Sequence, residues 1–298
     1  MKNQFPKNTG YIPSRRVTSD KKLYSSSMIP PPKSITDVSM IPVLMQNQTP
    51  TCVLHAITFY IMWLVYKSTG KVVLLSPRFL SIMYTQKTGQ IPVNGTMISI
   101  ALDIAKEFGV CEDSLLPNNT KLDLKSYCDS SVLTDEIKQN ALKYRISNYY
   151  FLNDLSENGF KQALAEWDLL LYGIDISDHW WTPSWAASDI LPIKPPHGMS
   201  DPTLGRHLIC GFGYDETPFD YFRNSFGPTW GFAGNGWFGS DDIPYVYEAA
   251  VIEGLNPPPP PPPVITPISP SSKPTNSKKN WFQKFLDFLN YIITHISN

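Results

Sequence analysis

The chain has 298 residues, of which 42% are hydrophobic and 17% charged, a composition typical of a globular protein long enough to bury a large core. Its formal net charge is −1 and no dense lysine or arginine stripe is visible, so we expect no nucleic-acid partner. The four cysteines are widely spread and form no CxxC pair. This pattern predicts neither a zinc site nor a disulfide framework, and we expect no metal and no cofactor.

The first 40 residues are expected to form an extended or partly ordered arm. They are polar, contain prolines at positions 6, 13, 30, 31 and 32, and lack sustained periodicity. The N-terminal lysine is not followed by an apolar run, so we expect no secretory signal peptide. Together with the unpaired cysteines, this favours a cytoplasmic location.

The central region, residues 41–255, begins with helices. The predicted helices cover residues 52–68, 76–85 and 97–108. Pro50 and Thr51 suit the start of the first helix, and Gly70 suits its end. This helix is too apolar for a surface position, so we expect it to be central and buried.

The second half of the central region has the pattern of strands. The predicted strands cover residues 169–176, 206–214, 221–224 and 236–238. Helices that come first and strands that come later indicate an α+β protein.

The composition changes sharply after the central region. Seven consecutive prolines open a linker over residues 256–279, which is stiff at first because polyproline II is an extended helix. Residues 280–298 predict an amphipathic helix, with the large apolar side chains of 281–296 on one face. Three interpretations fit this helix: contact with a membrane surface, contact with a partner helix, and packing back onto the central region.

Cys52 is the candidate nucleophile. A free thiol has a pKa of about 8.5, and its thiolate is the reactive form. In the first turn of a helix, Cys52 would meet the positive end of the macrodipole, which predicts a lowered pKa. The alternative is a buried cysteine that fills space, and this is the only interpretation for Cys111, Cys128 and Cys210.

His207 is the candidate base among five histidines. It opens a predicted strand, which would place its side chain at a strand end facing a cleft. Asn224 follows in a short polar segment and would hold the imidazole in its working tautomer. The rival base is His55, which follows Cys52 on the same predicted helix.

Three segments together resemble the active-site segments of papain-like cysteine peptidases. In residues 42–52, Gln46 precedes the cysteine at the spacing found in this family. Residues 205–214 resemble the histidine strand, and residues 224–238 resemble the asparagine segment and its return strand. The separation of Cys52 and His207 is also close to that of papain-type enzymes. The matches follow the family's order over about residues 27–253.

The resemblance implies a role for each matching residue. Cys52 would be the nucleophile, His207 the base and later the acid, and Asn224 the group that orients the imidazole. Gln46 would donate a side-chain N–H to the oxyanion, with the Cys52 backbone N–H as the second donor. The implied fold has a helical lobe and a β-barrel-like lobe, with the cleft between them.

Four further residues are substrate-binding candidates on the resemblance: Gly95, Thr96, Arg206 and Phe226. Gly95 would lie under the substrate backbone, and Thr96 replaces a glycine that is usual next to it. Phe226 replaces the tryptophan that covers the histidine–asparagine bond in the family. Arg206 places a cation beside the base, where it would either lower the pKa of His207 or be solvated.

The first 40 residues are too short for the family's helical prodomain. They resemble the short N-terminal extension of some bacterial members, for example in Tyr11-Ile12-Pro13. Such an arm, a short propeptide in one interpretation, would either lie across the cleft or wrap the second lobe.

The function implied is hydrolysis of peptide bonds through a thioester, with a protein or peptide as substrate. A first alternative is acyl transfer by the same residues, as in a transpeptidase or amidase. A second alternative is an inactive papain-like fold that serves as an interaction module. Gln46, Cys52, His207 and Asn224 are all present, which favours an enzyme.

Overall fold

Three long helices follow one another in the first half of the chain. Helices α1, α2 and α3 cover Cys52–Thr69, Pro77–Thr88 and Ile98–Glu107. They confirm the three predicted helices to within a few residues. Helices α1 and α2 end at Gly70 and Gly89, whose left-handed backbone conformation favours glycine. Every residue from Cys52 to Met62 is buried, so α1 is the central helix that its composition predicts.

The computed structural model describes residues 10–14, 23–177, 203–215 and 219–256. The predicted helix at 280–298 and the linker from residue 257 onward lie outside the described residues. No helix within the described part of the chain is long and apolar enough to span a membrane.

Short helices and strands complete the described structure. The remaining helices are α4 Leu124–Tyr127, α5 Asp135–Ala141 and α6 Glu157–Trp167. Single 3₁₀ turns cover Ser130–Val132, Leu142–Tyr144 and Ser240–Tyr245. The strands of the first half are β1 Tyr11–Ile12, β2 Leu23–Tyr24, β3 Ser34–Ile35, β4 Thr96–Met97 and β5 Tyr149–Leu152. Those of the second half are β6 Leu170–Ser177, β7 Thr203–Tyr214, β8 Phe219–Arg223, β9 Asn235–Gly239 and β10 Val246–Ile252.

One large sheet organises the second half of the chain. Its strand order is β2-β5-β10-β6-β7-β8-β9, and β3 pairs with β7 beside this path. All pairs are antiparallel except β2 with β5. The order does not return on itself among the described residues, so the lobe predicted as barrel-like is an open sheet there. Helices followed by a mostly antiparallel sheet confirm the α+β class.

The two faces of the sheet pack into two hydrophobic cores. Leu208 and Cys210 of β7 join the larger core with α1 and the other long helices. Ile209 of the same strand joins the smaller core with α6. This alternation follows the two-residue period of a strand. It places β7 directly against α1, and so brings the second half of the chain to the start of the central helix.

Candidate active site

Cys52 occupies the first position of α1 and is fully buried, with 0% of its surface exposed. Thr51 is the N-cap residue, and its carbonyl oxygen accepts the first helical bond from the His55 N–H, at 3.1 Å. The backbone of Leu208 contacts the Cys52 thiol. Since Leu208 follows His207 in β7, the thiol lies against the strand that carries the predicted base.

His207 and Asn224 come together because β7 and β8 are antiparallel neighbours. His207 Nε2 and Asn224 Oδ1 are 2.7 Å apart in a buried contact. Asn224 Oδ1 also accepts the Ser225 backbone N–H at 2.7 Å, which identifies it as the acceptor. Nε2 therefore carries the proton and donates it to Asn224. In a neutral imidazole this leaves the lone pair on Nδ1, the nitrogen required for a base.

One aromatic ring stacks on His207, and a second packs behind it. The Phe226 ring stacks on His207 with centroids 4.8 Å apart, and Trp230 meets Phe226 edge-on at 5.9 Å. Both aromatic side chains are fully buried. Phe226 thus shields the bond, as its place in the sequence predicts, and its contacts with His207 and Trp230 lie in the interior.

Burial controls the ionisation of both reactive groups. It raises the pKa of the Cys52 thiol to about 12, against the lowering effect of backbone hydrogen bonds from Leu208 and Val53. It lowers the pKa of His207 to about 4, while the Asn224 bond acts in the opposite direction. The pair is therefore a thiol and a neutral imidazole in this structure. The lowered thiol pKa predicted from the helix start is wrong here, because desolvation outweighs the favourable helix end.

Gln46 is seated between the loop before α1 and the segment after Asn224. Its backbone N–H donates to the Ser225 carbonyl at 2.9 Å, and its Oε1 accepts the Ser225 hydroxyl at 2.5 Å. Its Nε2 donates to the Thr49 carbonyl at 2.9 Å, which fixes the orientation of the amide. The structure thus gathers Gln46, Cys52, His207 and Asn224 into one buried site.

The N-terminal arm crosses the surface next to this site. Strand β1 pairs in parallel with β4, with Tyr11 opposite Thr96. The Thr96 N–H donates to the Gly10 carbonyl at 2.7 Å. A Cβ atom on Gly95 would lie 2.2 Å from that carbonyl group, and one on Gly10 would lie 2.0 Å from the Pro50 oxygen. The arm therefore passes between the loop before Cys52 and Gly95, in contact with both backbones.

Tyr11 of the arm fills a pocket on the sheet lobe. Its ring lies over Gly173, where an added Cβ would be 2.4 Å from the ring. Its hydroxyl donates to Glu248 Oε1 at 2.6 Å, and the Ser14 N–H donates to the same oxygen at 3.0 Å. Glu248 is the cross-strand neighbour of Gly173. Tyr11 also lies close enough to Cys52 for the two groups to interact electrostatically.

Arg206 takes its own partners at the edge of the sheet. Its Nε lies 3.4 Å from Asp175 Oδ1, and its guanidinium lies over the Tyr247 ring at 4.7 Å. The lowered pKa of His207 comes from burial, with a smaller contribution from His55. Arg206 is thus an exposed side chain that pairs with Asp175. This agrees with the expectation that Arg206 is solvated, and not with the alternative that it lowers the pKa of His207.

Several site residues carry no signal in the sequence. Tyr11 and Glu248 meet across 237 residues, and Ser225 reaches Gln46 across 179. The four cysteines are all unpaired thiols, and all are buried. Burial alone therefore does not distinguish Cys52; its place at the start of α1, beside His207, does.

Comparison with solved structures identifies the fold. Xylellain, a cysteine protease from Xylella fastidiosa, aligns with a TM-score of 0.70 and 20% identity over 86% of this chain and 99% of its own. A digestive procathepsin L 3 from Tenebrio molitor larval midgut aligns with a TM-score of 0.58 and 18% identity over 85% of this chain and 76% of its own. The Carica candamarcensis protease CMS1MS2, in complex with E-64, aligns with a TM-score of 0.56 and 13% identity over 76% of this chain and 99% of its own.

The chain therefore has the papain-like fold, as predicted, with an open sheet among the described residues in place of the expected barrel-like lobe. No protein-family model matches the sequence, and no curated protein matches it either.

Proposed function

We propose that the chain is a cysteine peptidase that hydrolyses peptide bonds through a thioester. The observation that carries this proposal is the buried His207–Asn224 bond beside the Cys52 thiol at the start of α1. These contacts support the roles of nucleophile, base and orienting group for Cys52, His207 and Asn224, the three groups that nucleophilic catalysis requires. The structural neighbours described above are cysteine proteases, which supports peptidase activity in general.

The roles follow from the hydrogen bonds. His207 Nδ1 takes the proton of Cys52 as the sulfur attacks the scissile carbonyl, and the imidazolium then gives it to the leaving amine. Water repeats the attack on the thioester with His207 again as base. The Gln46 amide and the Cys52 backbone N–H donate to the oxyanion, each contributing roughly 3 kcal/mol to transition-state stabilisation. Asn224 holds the imidazole through its Nε2–H.

We further propose that the arm, residues 10–14, blocks substrate in this conformation and leaves the cleft before catalysis. Its contacts with Pro50, Thr96 and Glu248 support this, as does the complete burial of Cys52. When the arm leaves, water reaches the site and the desolvation that raises the thiol pKa is relieved. The closed state therefore lacks both access to the nucleophile and its reactive thiolate.

Labelling with E-64 and mapping of the modified residue tests the assignment. We expect the label on Cys52, and we expect Cys52→Ala to lose both labelling and peptide hydrolysis. Cys111→Ala is the matched control, because it also removes a fully buried thiol, and it should keep both. A label on Cys111, Cys128 or Cys210 would sink the assignment. Product analysis with an added amine separates a hydrolase from the acyl-transfer alternative.

A further inference from the structure

A second buried histidine, His55, lies in the first turn of α1 itself. His55 Nδ1 lies 2.9 Å from the Thr51 carbonyl oxygen, which also accepts the His55 backbone N–H at 3.1 Å. Its Nε2 lies 3.2 Å from Asn118 Nδ2. Both ring nitrogens thus have partners, and the side chain is 1% exposed.

The partners of Asn118 determine where the His55 proton lies. The Tyr127 hydroxyl donates to Asn118 Oδ1 at 2.6 Å, so the Asn118 NH₂ group is the one that faces His55. His55 Nε2 therefore accepts, and the ring proton is on Nδ1, from which it is donated to the Thr51 carbonyl. Burial lowers the pKa of His55 to about 4, so the imidazole is neutral near neutral pH.

The Thr51 carbonyl shares a rigid peptide unit with the Cys52 N–H. A trans peptide is planar, and its C=O and N–H point in opposite directions. Two hydrogen bonds from His55 to the Thr51 oxygen thus fix the direction of the Cys52 N–H. A donor contributes to catalysis in proportion to how well it is aimed before the charge develops.

The same contacts extend to Gln46. The Thr51 hydroxyl lies 3.2 Å from His55 Nδ1 and 2.7 Å from the Thr49 hydroxyl. The Thr49 hydroxyl donates to the Gln46 carbonyl at 2.5 Å. A continuous set of buried hydrogen bonds therefore connects His55 to the backbones of both proposed oxyanion donors.

We propose that His55 is a positioning residue that aims the Cys52 N–H at the oxyanion by holding the Thr51–Cys52 peptide. This inference rests on the proposed peptidase function. It assigns His55 no proton transfer with the substrate, because both of its nitrogens are committed to Thr51 and Asn118.

The test compares two reactions of the Cys52 sulfur, one that needs the oxyanion donors and one that does not. Alkylation of Cys52 by iodoacetamide forms no tetrahedral oxyanion, whereas peptide hydrolysis does. In the full-length chain, His55→Leu should lower kcat about 10-fold, the equivalent of one well-aimed hydrogen bond. Its KM and its Cys52 alkylation rate should stay within about 2-fold of the original chain. His55→Asn places an amide N–H near the position of Nδ1 and should restore most of kcat.

Several outcomes would overturn the inference. One is an unchanged kcat in His55→Leu; another is an alkylation rate that falls in step with kcat, which would indicate a base or a general loss of structure. If His55→Leu does not fold, Asn118→Leu removes the donor to Nε2 and keeps the same branched arrangement of side-chain heavy atoms, and its kcat should fall with alkylation unchanged. A wild-type kcat in Asn118→Leu would then refute the inference. Absence of hydrolysis by the original chain would instead refute the proposed function on which the inference rests.

Discussion

The surroundings of His55 and His207 are alike in every property that is usually used to find a catalytic base. Both imidazoles are buried, both lie next to the start of α1, and burial lowers the pKa of each to about 4. They differ in what their nitrogens bind. His55 is bonded at both, to Thr51 and Asn118, whereas His207 gives its Nε2–H to Asn224 and has its lone pair on Nδ1.

If the proposed roles hold, the partner of each ring nitrogen, more than burial or a shifted pKa, separates a base from a positioning group. A nitrogen that already accepts from an amide cannot receive a proton from a thiol. One buried site can therefore contain two neutral histidines with different tasks. The predictions that follow test this difference, beginning with the largest expected effect.

Removal of His207 should have by far the greater effect on rate. His207→Ala removes the base and the proton donor, and we expect kcat to fall about 10³-fold or more. Both hydrolysis and Cys52 alkylation at neutral pH should fall, because alkylation also needs the thiolate. Steady-state kinetics and timed alkylation measure the two effects. An active His207→Ala beside an inactive His55→Ala would reverse the assignment of the base.

Weakening the arm should increase activity. Tyr11→Phe removes the hydrogen bond to Glu248 without removing the ring over Gly173. A bond to a carboxylate contributes roughly 1.5 kcal/mol or more, so the open state and the Cys52 alkylation rate should rise about 10-fold.

A matched control exists elsewhere on the sheet lobe. Tyr149 donates to Asp103 Oδ1 at the same distance, 2.6 Å, and Tyr149→Phe should leave the alkylation rate unchanged. An equal rise in both variants would indicate general loosening of the fold. No rise in Tyr11→Phe would mean that this bond does not hold the arm in place.

The smallest expected effect is a decrease in the free energy of unfolding in mild acid. The pKa of each buried histidine is lowered from 6.5 to about 4, so the unfolded chain binds more protons in that range. The free energy of unfolding therefore decreases as the pH falls through this window. Between about pH 7 and about pH 5, each histidine should account for roughly 2 kcal/mol of that decrease.

Thermal unfolding of His55→Asn tests this contribution. Its Tm should fall by roughly 5 °C less than that of the original chain over the same acid range. Asp220 acts in the opposite direction, because burial raises its pKa to about 7, but it is common to both chains. Equal decreases in Tm would show that His55 is not held neutral by the fold.

Much of the fold follows from local sequence signals. The apolar run after Thr51 and the glycines that end α1 and α2 specify the helices, and the order of helices and strands indicates the class. His207 and Asn224 are recognisable because each lies at the end of a predicted strand. In the structure Asn224 does follow β8, whereas His207 lies inside β7, because the strand begins earlier than predicted. Each of these signals spans only a few consecutive residues, so it can be recognised in a single sequence.

The rest of the site depends on contacts between distant residues. His55 contacts Asn118, which is 63 residues away in the sequence, and Tyr11 contacts Glu248, which is 237 residues away. The thiol pKa shows the same limit, since the helix start is a local feature whereas the burial that dominates the pKa depends on the tertiary fold. Hydrophobic periodicity does not predict such pairs, because neither residue of a pair stands out from the pattern of its own segment.

The arm and the domain that it would block belong to one chain, and this determines how the proposed block responds to protein concentration. A blocking strand on the same chain has an effective concentration fixed by its tether, on the order of millimolar for short flexible tethers. Diluting the protein therefore leaves the blocked fraction unchanged. One cut between the arm and the domain converts the block into a bimolecular equilibrium, in which a two-residue pairing such as that of β1 with β4 is easily displaced. The blocked fraction would thus be independent of protein concentration before the cut, whereas after the cut the arm would dissociate on dilution and leave the domain active.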